Sequence, residues 1–302
     1  MSTSSNRRHN DDPLAPYRGR LLGLAYRMLG SRSDAEDVVQ DAYIRFAGAH
    51  DIHNPEAFLV TIVTRLCLDR LKSAKAQREV YVGPWLPEPV FDAQDLSAGS
   101  ATELADDLSF ALLLALDRLS PMERAAFLLH DVFGVALNDV AGTLDRAAAA
   151  VRQLASRARR HVQEAKPRYA VEQAEAERIT RAFFAAVRDG DVASLRTLLA
   201  EDVVLRADGG GKVLAFHNPI HGIAKMLRLF AGIARKYASR PELLRLATID
   251  GLPGYVSIDR GDFLQTTALE VREGRIAAIY ITRNPDKLRH VAALVEASTD
   301  TP

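Results

Sequence analysis

The sequence predicts a multidomain fold: two all-α helical domains, the second closing on a helix-turn-helix, followed by an α+β domain. Three observations carry that prediction. Apolar residues recur at helical spacing from Leu14 to about Val162. A proline-rich break, VYVGPWLPEPVFDAQDLSAGSATE, divides this helical part in two. Beyond His221–Lys236, strand-like runs at Leu243–Ile249, Tyr255–Ile258, Phe263–Val271 and Ile276–Thr282 alternate with Gly251, Pro253, Gly261 and Gly274. Helices first and an antiparallel meander afterwards make an α+β domain. The expected boundaries are 14–80, a linker at 81–103, 104–166, 171–283, and a C-terminal helix at 284–297. A chain of 302 residues, 48% hydrophobic and 26% charged, is long enough to give each domain its own core.

In the first domain, Leu21–Leu29 is an apolar helix that ends at Gly30. Ser33 is the expected cap of the next helix, which buries Ala35, Val38, Val39, Ala42, Tyr43 and Phe46. Its first turn carries Asp34, Glu36 and Asp37, favoured by the positive end of the helix dipole. Asp34, Asp37 and Asp41 recur at i, i+3 and i+7, so they form an acidic outer face with Glu36 and Gln40 beside them. A loop, GAHDIHN, leads to Pro55, which starts a helix running to about Lys75 with Arg65, Arg70, Lys72 and Lys75 toward its end.

The linker holds Pro84, Pro87 and Pro89, which forbid helix and favour an extended path. Trp85 and Leu86 make it an apolar, exposed-looking segment that invites a partner surface. In the second domain Leu112, Leu113, Leu116 and Leu119 share one helix, and Ser120-Pro121 with Glu123 opens the next. Then comes LNDVAGTLDRAAAAVRQLASRARR. It reads as a short helix capped by Asn138 and burying Val140, Ala141 and Leu144, a tight turn, and a second helix. That second helix buries Val151, Leu154 and Ala158 and turns Arg152, Gln153, Ser156, Arg157 and Arg160 outward. In helix-turn-helix geometry such a helix enters the major groove. An ordinary hairpin with a solvated basic face reads the same segment equally simply.

The last domain opens on an amphipathic helix, Glu172–Arg188, and a second short helix capped by Asp191. Val203–Leu205, a triple glycine (Gly209–Gly211) and Lys212–His217 follow as strand, turn and strand.

Formal net charge is zero, but Arg146–Arg168 carries seven basic residues against one acid, Glu164, and the stretch before it is acidic. Local clusters set the field at a binding face, so a polyanionic partner stays in view. The single cysteine, Cys67, sits in an apolar run and reads as core. The polar N-terminal stretch has no apolar segment of signal-peptide type, and no run approaches about 18 apolar residues. A cytoplasmic protein with no membrane span, metal site or cofactor is expected.

The segments DAEDVVQDAYIRF and NPEAFLVTIVTRLCLDRLKSAKAQRE resemble the core-binding and minus-ten-recognition region of extracytoplasmic-function sigma factors. The segment LDRLSPMERAAFLLHDVFGVALNDVAGTLDRAAAAVRQLASRARRHV resembles their minus-thirty-five-reading region. YVGPWLPEP, DGGG at Asp208–Gly211 and NPDKL at Asn284–Leu288 resemble the subgroup with a SnoaL-like cone appended. The resemblance implies a promoter-specificity subunit whose partners are core RNA polymerase and promoter DNA. It implies that Asp34, Glu36, Asp37, Gln40 and Asp41 meet the polymerase clamp, that Gly48–Asn54 captures a flipped base, and that Arg65, Arg70, Lys72 and Lys75 track phosphates. Arg146, Arg152, Gln153, Ser156, Arg157 and Arg160 would contact the upstream element. Trp85, Leu86 and Pro87 with Asn284, Pro285, Asp286 and Lys287 would join the last domain to the linker and first domain, and regulate in cis. The cone leaves three readings open: an enzyme with Asp202, Asp208, His217 or His221 as base, a sensor of an unidentified small ligand, or a purely protein-contacting module.

Overall fold

The structure, a computed structural model, describes residues 15–78, 83–91, 110–165, 172–237, 239–259 and 263–293. Most of the expected linker, Lys166, Arg168 and the end of the terminal helix lie outside these. Helices α1 (Ala15–Leu29), α2 (Arg32–Ala47) and α3 (Pro55–Arg78) build the first block. Gly30 ends α1 at φ +69°, and a Cβ there would stand 2.3 Å from the Trp85 ring, so both the turn and the indole's approach require glycine. The reversal brings the chain into α2 early. Ser31, extended at φ −132°, is therefore the cap, accepting the Asp34 amide at 3.2 Å, and the expected cap Ser33 lies inside the helix. Asn54 caps α3 by accepting the Ala57 amide at 3.0 Å.

The second block comprises α4 (Phe110–Asp117), α5 (Pro121–Phe127) running on as a π-helical turn through Leu128–Val132, α6 (Leu137–Leu144) and α7 (Ala148–Ala165). Ser120 and Glu123 form the reciprocal capping box expected of them. At α6 the expectation fails: Ala136 occupies the cap position, no side chain caps the helix, and Asn138 is exposed within its first turn. The two blocks, distinct in sequence, share one core in which Leu24, Met28, Leu59 and Val63 are buried together with Leu116, Leu128, Leu129 and Val151. Arg124 crosses the seam to donate to the Met28 carbonyl at 2.5 Å, and Arg20 to that of Phe133 at 2.8 Å. Each such aliphatic side chain contributes about 1.5–3 kcal/mol on burial relative to the unfolded chain.

The last domain runs α8 (Gln173–Asp189), α9 (Val192–Leu198), β1 (Leu199–Asp208), β2 (Ile220–His221), α10 (Ile223–Lys236), β3 (Glu242–Ile249), β4 (Leu252–Asp259), β5 (Phe263–Arg272) and β6 (Arg275–Thr282). The strands form one sheet in the order β2-β1-β6-β5-β4-β3, antiparallel except for β1 against β6. This is the α+β cone expected. Lys212–His217, however, is not a strand. The Lys212 and Val213 amides both donate to the Gly209 carbonyl, at 3.0 and 3.2 Å, and Gly210 and Gly211 take positive φ, so the glycines fold the chain into a turn. His221, expected to begin the helix that runs to Lys236, lies instead on β2, because Gly222 caps α10.

One face of the sheet packs Leu205 and Ile279 against Ile179 and Phe183 of α8 and Phe230 of α10. The other packs Val256 and Tyr280 against Leu86 and Phe91 of the linker, Phe110 of α4, and Leu288 and Val291 beyond β6. The cone is thus roofed by the rest of the chain. Among the described residues, no helix is long and apolar enough to cross a membrane, and no group of three His, Cys, Asp or Glu could hold a metal.

Candidate nucleic-acid face and linker clasp

Val151, Ala155, Ala158 and Val162 form the buried row of α7, with Leu154 half-buried at its edge. That row leaves Arg152, Gln153, Ser156, Arg157 and Arg160 exposed, with Arg146 exposed on the preceding turn. Arg157 pairs with Glu123 at 3.1 Å and Arg146 donates to the Asp145 carbonyl at 2.9 Å. Such half-exposed contacts are weak enough to exchange for phosphate.

The acidic residues of α2, Asp34, Glu36, Asp37 and Asp41, are all exposed, as is Gln40 beside them. Two basic residues expected on an open phosphate track are instead held by protein. Arg70 pairs with Asp34 at 2.8 Å and Asp37 at 3.5 Å, fastening α3 to α2. Arg65 donates to the carbonyls of Thr143 at 3.2 Å and Gly142 at 3.4 Å, at the C-terminal end of α6. The last carbonyls of a helix carry partial negative charge, which draws a guanidinium. Beside it the Thr61 and Thr143 hydroxyls are 3.2 Å apart. Lys72 is exposed, 3.0 Å from Asp69, and the side chain of Lys75 lies outside the described residues.

The linker segment read as exposed is buried from Leu86 to Phe91. At its centre Asp208, 0% exposed, takes the Leu86 amide at 2.9 Å and the Lys287 ammonium at 2.7 Å on one oxygen, and the Gly210 amide at 3.0 Å on the other. Lys287 also bonds the Leu86 carbonyl and stands 4.3 Å from the centroid of the Trp85 ring. The Asp208 carbonyl receives the amides of Arg283 and Asn284 at 2.7 and 3.0 Å. A Cβ on Gly210 would meet the Asn284 side chain at 2.4 Å, so the triple glycine admits the turn that follows β6. Pro87 is buried within this stretch, Pro285 begins the turn after Asn284, and Asp286 pairs with Lys212. The structure therefore brings together Trp85, Leu86 and Pro87 with the Asn284–Lys287 turn.

A second knot lies beside the first. The Glu88 carboxylate takes the Arg32 amide at 2.8 Å and faces His290 at 3.3 Å, and its carbonyl takes the Tyr26 hydroxyl at 2.8 Å. His290 also contacts the Pro89 carbonyl at 2.6 Å. Asp250 joins four elements: its amide donates to Val90, its carbonyl receives the Phe110 amide, and its carboxyl receives the Tyr26 hydroxyl at 2.8 Å. Sequence reasoning passed over Asp250, which signals only an Asp-Gly turn, and Glu88 and His290, which signal nothing by spacing.

Burial pushes the Asp250 carboxyl up to about 7, against the lowering effect of the Tyr26 hydrogen bond. In the unfolded chain it would titrate near 4. The folded protein thus holds a proton that the unfolded chain releases, and stability falls as pH rises from about 4 to about 7, by roughly 1.4 kcal/mol per unit of difference. Burial also raises the Glu88 carboxyl, but His290, the Arg32 amide and Ser31 outweigh it and hold the group below its ordinary range. A lowered carboxyl loses its contribution as pH falls through the ordinary carboxylate range, on the acid side of the Asp250 window. Urea denaturation from pH 5 to 8 should show stability declining in the native chain and nearly flat in Asp250→Asn. Equal slopes would remove Asp250 from this role.

Within the cone a cavity of about 490 Å³ opens between the sheet, α8 and α10. None of Asp202, Asp208, His217 and His221 lines it. Asp202 is exposed and paired with Arg272, Asp208 serves the clasp, and the two histidines are exposed on the surface.

Residues 14–77 match sigma-70 region 2, and residues 109–162 match sigma-70 region 4. The chain is 39% identical to the ECF RNA polymerase sigma factor SigJ of Mycobacterium tuberculosis, over 89% of this chain and 90% of that one. It is 31% identical to the probable ECF sigma factor SigI of the same organism, over 90% and 92%. Among solved structures, the crystal structure of M. tuberculosis SigJ superposes with a TM-score of 0.71 at 33% identity, covering 92% of this chain and 97% of that one.

Proposed function

This chain belongs to the extracytoplasmic-function RNA polymerase sigma factors, and we propose that it is one held closed by its own C-terminal domain. A member of this family is no enzyme. It joins core RNA polymerase and directs initiation at the promoters it recognises, and its place of work is the cytoplasm, with the polymerase.

One observation carries the closed reading: α3 of the minus-ten block touches α6 of the minus-thirty-five block, Thr61 to Thr143 and Arg65 to Gly142 and Thr143. The two promoter elements lie about 25 base pairs apart, on the order of 80 Å at about 3.4 Å per pair. Blocks in contact cannot read both at once. Promoter binding must part them, and in parting them it frees Arg65 for phosphate. The cone opposes that step because it grips the linker through Asp208 and Lys287, the first block through Tyr26 and Asp250, and α4 through Phe110. This is regulation in cis by differential contacts in two states. A small ligand in the cone is the natural input to it.

We assign core-polymerase contact to the acidic face of α2 at Asp34, Glu36, Asp37, Gln40 and Asp41. Upstream DNA is assigned to Arg146, Arg152, Gln153, Ser156, Arg157 and Arg160, and the melted strand to Arg65, Arg70, Lys72 and Lys75. In transcription reconstituted with core polymerase on a genomic library, Arg152→Ala or Arg157→Ala should weaken promoter binding by about 1–3 kcal/mol and relax specificity at one position if it meets a base edge. Both variants keeping native affinity and salt slope would return this face to ordinary solvated surface.

A further inference from the structure

We propose that the cone is a binding site for an apolar, ring-bearing small molecule with a neutral hydrogen-bonding group at its inner end and an anionic group at its outer end. This names the ligand class for the cis-regulated reading above, on which its regulatory role rests, though its binding does not.

The walls decide the body of the ligand. A cavity of about 490 Å³ is within the usual range for small-molecule sites and is lined mainly by apolar groups. Phe183 stands edge-on to Phe230 at 5.7 Å, and Phe184 to Tyr255 at 5.1 Å, so the aromatic walls are fixed by one another and suit a flat ring system.

The inner end decides one polar group. Ser257 on β4 is 0% exposed, and its hydroxyl oxygen has no hydrogen-bond partner in the protein although it borders the cavity. Buried hydroxyls are nearly always satisfied, so an orphan one facing a cavity points to a partner that enters with the ligand. Gln265 lies opposite it on β5, but its carboxamide is spent on Arg283 at 2.9 Å and Thr267. Arg283 is itself paired with Asp259 and donates to the Leu214 carbonyl at 2.9 Å. The interior charge is therefore compensated, and a carbonyl or hydroxyl suits Ser257 better than an ion does.

The rim decides the other. Arg228, Gly232 and Lys236 follow at i, i+4 and i+8 along α10, all bordering the cavity, with both cations exposed. Glycine inside a helix is costly relative to alanine. Here nothing lies within 4 Å of where its Cβ would stand, so Gly232 leaves the mouth open between two cations. An anionic group passing between them is favoured.

The test titrates the full chain with 6-hydroxy-2-naphthoic acid, a fluorescent fused ring bearing a hydroxyl and a carboxylate at opposite ends, and with 2-naphthoic acid, which lacks the hydroxyl. Saturable binding of one molecule per chain is expected. Ser257→Ala should weaken the hydroxy acid about tenfold and 2-naphthoic acid less than about twofold. Gly232→Trp should abolish binding of both while the melting temperature holds. Should that variant fail to fold, the Ser257→Ala contrast between the two acids still decides. Absence of saturable binding, equal weakening of both acids by Ser257→Ala, or full binding by folded Gly232→Trp would overturn the proposal. If the acid binds but release of the clasp leaves transcription unchanged, cis regulation fails and the site stands. If the clasp controls transcription and neither acid binds, the reverse holds.

Discussion

Joined through a disulfide, the Thr61→Cys, Thr143→Cys double variant should lose promoter-dependent initiation by roughly a hundredfold or more, because a covalent lock removes the open population. Reduction should restore it. The two native hydroxyls stand 3.2 Å apart across the seam between α3 and α6, close enough for sulfurs to bond with a small shift. The native Cys67 will not compete, since it is buried and desolvation drives its thiol far above the range of a reactive cysteine. Each single variant should transcribe normally whether oxidised or reduced. The lock leaves the exposed face of α7 and the acidic face of α2 untouched, so the loss would come from the failure to separate the two blocks. An oxidised double variant that initiates as well as its reduced form would show that the promoter is read without parting the seam.

The elements of this fold were legible where a local rule acts alone. Helical periodicity located α1–α3 and α4–α7, the Ser120–Glu123 box marked the start of α5, and Asp-Gly and Glu-Gly turns separated the strands of the meander. Legibility failed where one neighbour overrode another. Gly30 turned the chain so that Ser31 rather than Ser33 caps α2, and three consecutive glycines made a turn of Lys212–His217. Asn138 has the chemistry of a cap but sits one residue inside α6, so its side chain points to solvent.

The candidate site divides along the same line. The outward face of α7 follows from its own buried row and needs nothing distant. The occupation of Arg65 by the carbonyls of Gly142 and Thr143 joins residues nearly eighty positions apart, and no spacing announces it. Trp85 and Leu86 were recognisable as apolar residues in want of a surface. The turn at Asn284–Lys287 of the same chain was expected to supply that surface; that Asp250 and Glu88 complete it depends on how three blocks pack. Ser257 is harder still, since an orphan hydroxyl is defined by what its neighbours do not offer.

Removing the Lys287 ammonium should release the linker and raise initiation. Asp208 is wholly buried, and its pair with Lys287 at 2.7 Å bridges the turn after β6 to the linker. Breaking a buried pair from one side typically costs about 3–5 kcal/mol, because the remaining charge stays desolvated. Here the amides of Leu86 and Gly210 still face the carboxylate, so Lys287→Met, which keeps much of the aliphatic stem, should sit near the lower end, at about 3 kcal/mol. Adding Asp208→Asn removes the orphaned charge but sets its NH2 against the Leu86 or Gly210 amide, so it should recover part of that loss, a non-additivity that a mere packing defect would not give. The free energy lost belongs to the closed state alone, since the clasp binds the linker only while the cone is seated on it. Destabilising that state shifts the balance toward separated blocks, so Lys287→Met should raise promoter-dependent initiation several-fold where opening is limiting. Amide exchange across Trp85–Phe91 should quicken in parallel, while the helices of the first block keep their protection. Native exchange rates in the linker of Lys287→Met would show that the clasp is held elsewhere, and a fall in initiation would mean that the cone serves the open state instead.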